Sequence, residues 1–111
     1  MTPKTLLTLS LALLLSACSA TLTVRNDRPG PVKDIKVRVP GAEYTVPELA
    51  PGATHVQKVN VAAPGPLGLD YTDENGRLNI NVGPVPLKKG DSRRWLLRLD
   101  PKAMMVMEPA P

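Results

Sequence analysis

A chain of 111 residues with net charge +4, one cysteine, one histidine, one tryptophan, two tyrosines and no phenylalanine has the length of a single domain. The lone cysteine excludes an intrachain disulfide and, with the lone histidine, a metal centre built from those residues. The mild positive excess favours anionic partners such as lipid head groups or envelope polymers, and it is too weak to point to nucleic acid.

In chain order, Lys4 precedes an apolar run from Leu6 to Leu15, which closes on Leu15-Ser16-Ala17-Cys18. A positive start, a hydrophobic stretch and small residues before a possible cut site are the marks of a secretion signal. The run is too short to stay as a membrane span, which takes about 20 apolar residues. Leu15-Ser16-Ala17-Cys18 resembles a lipobox, the cut-and-acylate signal of bacterial lipoproteins. That resemblance implies cleavage after Ala17, a lipid on the Cys18 sulfur and a mature protein held to the exported side of a membrane. Ser19 stands where an Asp would resemble an inner-membrane retention signal. In an organism with an outer membrane, the periplasmic face of that membrane is therefore expected.

Removing residues 1–17 leaves 94 residues with thirteen basic and ten acidic side chains, a net +3. So small a domain buries only about 60–65% of its unfolded surface, and acylation of its one cysteine leaves it without a disulfide to compensate. Leu, Ile, Val and Met must fill the core. The expected organisation is a signal peptide over 1–17, one domain over 18–108 and a flexible tail over 109–111.

The mature segment reads as strands punctuated by Pro and Gly. Residues 21–25 alternate, with Leu22 and Val24 on one face. After the turn cluster 26–31, residues 32–39 alternate more cleanly, with Ile35, Val37 and Val39 opposite Asp34, Lys36 and Arg38. This is the half-buried antiparallel pattern. A short strand is expected over 43–46 and longer ones over 54–61, 67–72 and 77–83. Asn75-Gly76 between alternating runs is a strong hairpin signal. A two-residue turn there pairs Glu74 with Arg77, Tyr71 with Ile80 and Leu69 with Val82, core against core, and a four-residue loop keeps the same facing. Residues 84–92 form a longer connection. A strand follows over 93–99, with Trp95, Leu97 and Leu99 inward, and a last short one over 103–107.

Seven or eight short strands at close spacing predict an all-β fold, a β-sandwich or small barrel. Val24-Arg25-Asn26, Ile35-x-Val37-x-Val39 and Leu49-x-Pro51-Gly52 are similar to the opening of immunoglobulin-like modules of bacterial envelope proteins. The resemblance covers about residues 22–61 and implies an immunoglobulin-like antiparallel β-sandwich. It carries no catalytic residue, and the Cys–Trp–Cys pattern of antibody domains is absent.

Candidate chemistry is sparse. His55 has no partner in sequence. Met105 and Met107 share a strand face from which Met104 points away, so three thioethers do not converge on copper and core filling is expected. A calcium loop aligned on Asn75-Gly76 fails at Tyr71. No G-x-S-x-G occurs, and Ser92 has no nearby base. No catalytic residue, metal or cofactor is expected. The basic residues Lys88, Lys89, Arg93, Arg94 and Arg98, offset in part by Asp91, form either a solvated face or a contact for anionic lipid or envelope polymer, worth about 1 kcal/mol per basic group near such a surface. If strand 43–46 counts as a full traverse, the 84–92 loop returns to the anchored end; if not, it points away. The expected function is a non-catalytic binding or structural role in a membrane-anchored envelope lipoprotein. The alternative is an accessory subunit of a larger envelope complex, as a pilotin, stabiliser or chaperone-like partner, which would co-purify with one abundant protein.

Overall fold

The computed structural model describes residues 19–111. The expected signal peptide and lipobox, Cys18 included, lie outside the described residues. Within them the fold is an all-β sandwich of immunoglobulin-like layout with eight strands: β1 (Ala20–Asn26), β2 (Lys33–Val39), β3 (Ala42–Val46), β4 (Thr54–Val59), β5 (Gly68–Thr72), β6 (Leu78–Val82), β7 (Arg94–Asp100) and β8 (Met104–Pro109). One sheet has the order β4-β1-β7-β8 and the other β3-β2-β5-β6.

Neighbours are antiparallel with one exception: β1 and β7 are parallel, with Leu22 opposite Trp95 and Val24 opposite Leu97. Strands that alternate in direction make the first and seventh run the same way, so this pair follows from the traverse count. Pro109, expected in the flexible tail, instead closes β8 opposite Trp95, and the Ala110 N–H donates to the Arg94 carbonyl at 2.9 Å.

Alternation explains the core. Leu22 and Val24 of β1, Ile35, Val37 and Val39 of β2, Leu69 and Tyr71 of β5, and Trp95, Leu97 and Leu99 of β7 all point between the sheets and are buried. Each fully buried side chain of this size contributes about 1.5–3 kcal/mol. Tyr71 crosses the sandwich, and its hydroxyl donates to the Met104 carbonyl at 2.7 Å.

The β5–β6 hairpin departs from expectation. Tyr71 faces Asn79 and Leu69 faces Asn81, while Leu78, Ile80 and Val82 stand opposite Thr72, Asp70 and Gly68. The cause is Asp73. Its Oδ1 accepts from the N–H groups of Asn75 and Arg77 at 2.9 and 3.0 Å, and its own N–H donates to the Arg77 carbonyl. The tip therefore spans residues 73–77, an odd number. A one-residue change of register turns every side chain to the other face. Leu78, Ile80 and Val82 are consequently 64, 62 and 66% exposed. Asn79 and Asn81 turn inward, where their amides donate to the Asp73 carboxylate and the Leu69 carbonyl.

At the other end of β1, Asn26 is fully buried. Its side-chain amide donates to the carbonyls of Gly30 and Leu49, both at 2.9 Å, and its Oδ1 accepts from the Arg28 N–H at 2.9 Å. Its backbone N–H donates to Ala53 and its carbonyl accepts from Gly52. Replacing Asn26 with Ala takes their partner from the Gly30 carbonyl and the Arg28 N–H, each orphan costing about 1–3 kcal/mol, while the Leu49 carbonyl keeps its bond from the Val32 N–H. We expect Asn26→Ala to lower unfolding free energy by about 2–4 kcal/mol in urea titrations, with an unchanged denaturant slope. Asn60→Ala, which removes only an exposed bond from Ser19, should stay within about 0.5 kcal/mol of the parent.

Candidate functional site

One end of the sandwich gathers the start of β1, the starts of β7 and β5, and the ends of β2, β4, β6 and β8. Ala20 lies opposite Val59, the Thr21 N–H donates to the Arg93 carbonyl at 3.1 Å, and the Gly83 N–H just after β6 donates to the Leu67 carbonyl at 2.7 Å. The connection from β6 to β7 runs across this end, as the count with residues 43–46 as a full traverse requires. It is pinned at three places. Leu87 is buried and bridges Gly65, the Gly90 N–H donates to Val61 at 2.8 Å, and the Asp91 N–H donates to Lys88 at 3.0 Å. Gly90 takes a φ of 66°, a left-handed conformation that suits glycine in so tight a turn.

Asp91 organises the turn. Its carboxylate is fully buried and accepts from the Lys88 and Arg93 N–H groups at 3.0 and 2.9 Å. The Arg93 guanidinium donates to it at 2.6 Å. Arg93 also donates to the Pro86 carbonyl and lies over the Trp95 ring, 4.8 Å from its centroid, where a cation is attracted by the ring face. Arg93 is thus a structural strut with its charge balanced.

The five basic residues therefore separate. Lys88, Lys89, Arg93 and Arg94 come together at this end. Arg98 lies four residues further along β7 than Arg94 and is held by Glu108 at 3.0 Å, with Asp27 and Asp100 each at 3.5 Å. Lys88, Lys89 and Arg94 are exposed and make no ion pair with any described residue. Arg94 stands opposite Thr21, two residues from Ser19. With Lys58, which is also exposed and stands opposite Thr21 on the other side of β1, these three are the positive charges of the end that have no ion pair among the described residues. Beside them, Ser92, Arg93, Arg94, Trp95, Pro109 and Ala110 line an open groove of about 470 Å³. Sequence reasoning missed this groove, because its walls meet only through the β7–β8 register. Trp95 itself is 5% exposed, and its indole N–H has no acceptor among the described residues.

The remaining candidates do not converge. His55 is half-buried and its Nε2 lies 3.2 Å from the Gln57 amide oxygen. Met107 is buried and Met105 packs on the core, while Met104 is exposed. Among the described residues no group of three or more His, Cys, Asp and Glu is placed to hold a metal ion.

The Arg93 guanidinium, helped by the Lys88 and Arg93 N–H groups, holds the Asp91 carboxyl at about 2 against an ordinary 3.8. Asp91 consequently adds stability that is complete above about pH 4 and lost as pH falls towards about 2. With the exposed side of Arg93 screened by solvent, that contribution is about 1–2 kcal/mol. Asp91→Asn should cost this much in urea unfolding at neutral pH, and the gap between variant and parent should close near about pH 2. A gap of equal size at both pH values would contradict this role.

No family model and no curated protein sequence matches the chain. Among solved structures, it is similar to an NMR structure of a protein from Eubacterium rectale. The two superpose with a TM-score of 0.60 at 21% identity, over 82% of this chain and 87% of the other. At that identity the likeness extends to the fold alone.

Proposed function

We propose that this chain is a bacterial envelope lipoprotein, acylated at Cys18, whose β-sandwich has a non-catalytic binding or structural role at the membrane surface. One observation carries the reading: Ser19 and Ala20, the two residues that follow Cys18, are already part of the fold. Ser19 is already bonded to Asn60, and Ala20 is fully buried as the first residue of β1. One peptide unit spans about 3.8 Å, so an acyl group on Cys18 leaves no tether. The end at which β1 starts then rests on the lipid, and Lys88, Lys89 and Arg94 are on that end. Each basic group near an anionic surface contributes about 1 kcal/mol, so the three give roughly 3 kcal/mol, or about a hundredfold in partitioning.

The reading as an accessory subunit of a larger envelope complex is favoured by a different feature, the exposed apolar row Leu78, Ile80 and Val82. Both readings share the anchor and differ in what the domain meets.

Mass analysis of the membrane-extracted protein should give a chain beginning at Cys18 with added acyl groups, and Cys18→Ala should leave a full-length, unacylated precursor. A wild-type chain without acyl groups would sink the anchoring reading. In vesicle sedimentation, the lipid-free domain should bind anionic vesicles at low salt and release at high salt. Neutralising Lys88, Lys89 and Arg94 together, with Arg93 kept because Asp91 needs it, should weaken binding by about a hundredfold. Unchanged binding would leave these residues as ordinary solvated charges.

A further inference from the structure

Among the described residues, four strands form the sheet edges: β3, β4, β6 and β8. Exposed edges are normally guarded by charge, proline or a bulge, because their unpaired backbone groups are a template for another chain. Three are guarded here. β3 carries Glu43, β4 carries Lys58, and β8 carries Glu108 and Pro109. The fourth, β6, reads Leu-Asn-Ile-Asn-Val. It has no charge and no proline, and it pairs with β5 without any break in register. Its outer face is the row Leu78, Ile80 and Val82, each more than 60% exposed.

The surroundings of the row have a direction. At its start stands Arg77, exposed and without an ion pair among the described residues. At its finish, Val82 shares an open groove of about 320 Å³ with Arg38, Pro40, Pro66, Leu67 and Gly68. The Arg38 guanidinium lies across Gly68 and is paired with Asp70, so the wall it offers is electrically balanced. A Cβ on Gly68 would lie 2.9 Å from the Arg38 guanidinium and would push it aside.

We propose that β6 is a docking edge for an extended segment of another envelope protein, added antiparallel to β6 as a fifth strand of its sheet. Strand addition takes affinity from backbone hydrogen bonds and specificity from alternate side chains. The incoming segment has apolar residues at every second position, beside Leu78, Ile80 and Val82. Its first apolar residue packs on the free side of Val82, whose other side closes the groove over Gly68, and an acidic residue at its far end meets Arg77. A second copy of this chain fits the uncharged strand but not the anchor. β6 runs towards the end where β1 begins, so an antiparallel copy is inverted and its own β1 starts at the opposite end. Two chains acylated on one membrane cannot pair that way. This exclusion rests on the anchoring reading given above.

A photoreactive amino acid placed at position 80 in the full chain, expressed in its native cells, tests the proposal, with the same group at the exposed outer-face position 45 of β3 as control. The expected result is one discrete protein adduct from position 80 and none from position 45. The crosslinked peptide should alternate apolar residues and end in an acidic one. Combining Leu78→Lys with Val82→Lys should reduce the adduct by about tenfold or more without moving the thermal midpoint, because both sites are exposed. An adduct with lipid, an adduct of twice the chain's own mass, a peptide without alternation, or no adduct overturns the proposal. The mass of the same purified chain reports acylation at Cys18 independently, so loss of the anchoring reading is seen separately.

Discussion

The buried amide of Asn26 is the contact on which the far end of the sandwich depends. It is a side chain in the central part of one sheet that reaches the entrance of the other. The Leu49 carbonyl accepts from Asn26 and also from the N–H of Val32, one residue before β2. Every polar group of Asn26 has a partner, which is the condition under which a buried polar network fixes one structure instead of weakening it. The same end is braced by Arg28, whose side chain is 10% exposed and donates to Glu74 at 2.7 Å and to the Asp100 carbonyl at 3.1 Å. One turn thus fastens the β5–β6 and β7–β8 connections to the end of β1.

Much of this was readable in the residues. All eight strands fall where alternation and the Pro/Gly punctuation put them, and the inward faces of β1, β2, β5 and β7 are as the pattern requires. The similarity to immunoglobulin-like modules acquires a physical meaning as well: Asn26 of the Val24-Arg25-Asn26 segment bonds to Leu49 and Gly52 of the Leu49-x-Pro51-Gly52 segment. The β6 facing was not readable. Alternation says which residues share a face, but turn geometry says which face is inside. Asp73 decided that through backbone contacts that Asn75-Gly76 alone does not reveal.

The candidate site was half legible for a related reason. A count of lysines and arginines locates positive charge but not the carboxylate that cancels it. Asp91 is close in sequence to Arg93 and could be foreseen as an offset. The pairing of Arg98 with Glu108 depends on the β7–β8 register, and its contact with Asp27 spans 71 positions. Of five basic residues, the fold leaves Lys88, Lys89 and Arg94 at one end without such partners among the described residues. An exposed charge of this kind acts through its surroundings, and its effect weakens with ionic strength.

The parallel pairing of β1 with β7 also governs when the chain can fold. β1 lies between β4 and β7, and its partner Trp95 is some seventy positions beyond Leu22. A chain delivered from its N-terminus thus holds β1 half-paired until almost all of it has emerged. Contacts so distant in sequence place a protein among the slower folders, on the millisecond-to-second scale. Closure of this sheet therefore waits for β7, the last strand but one.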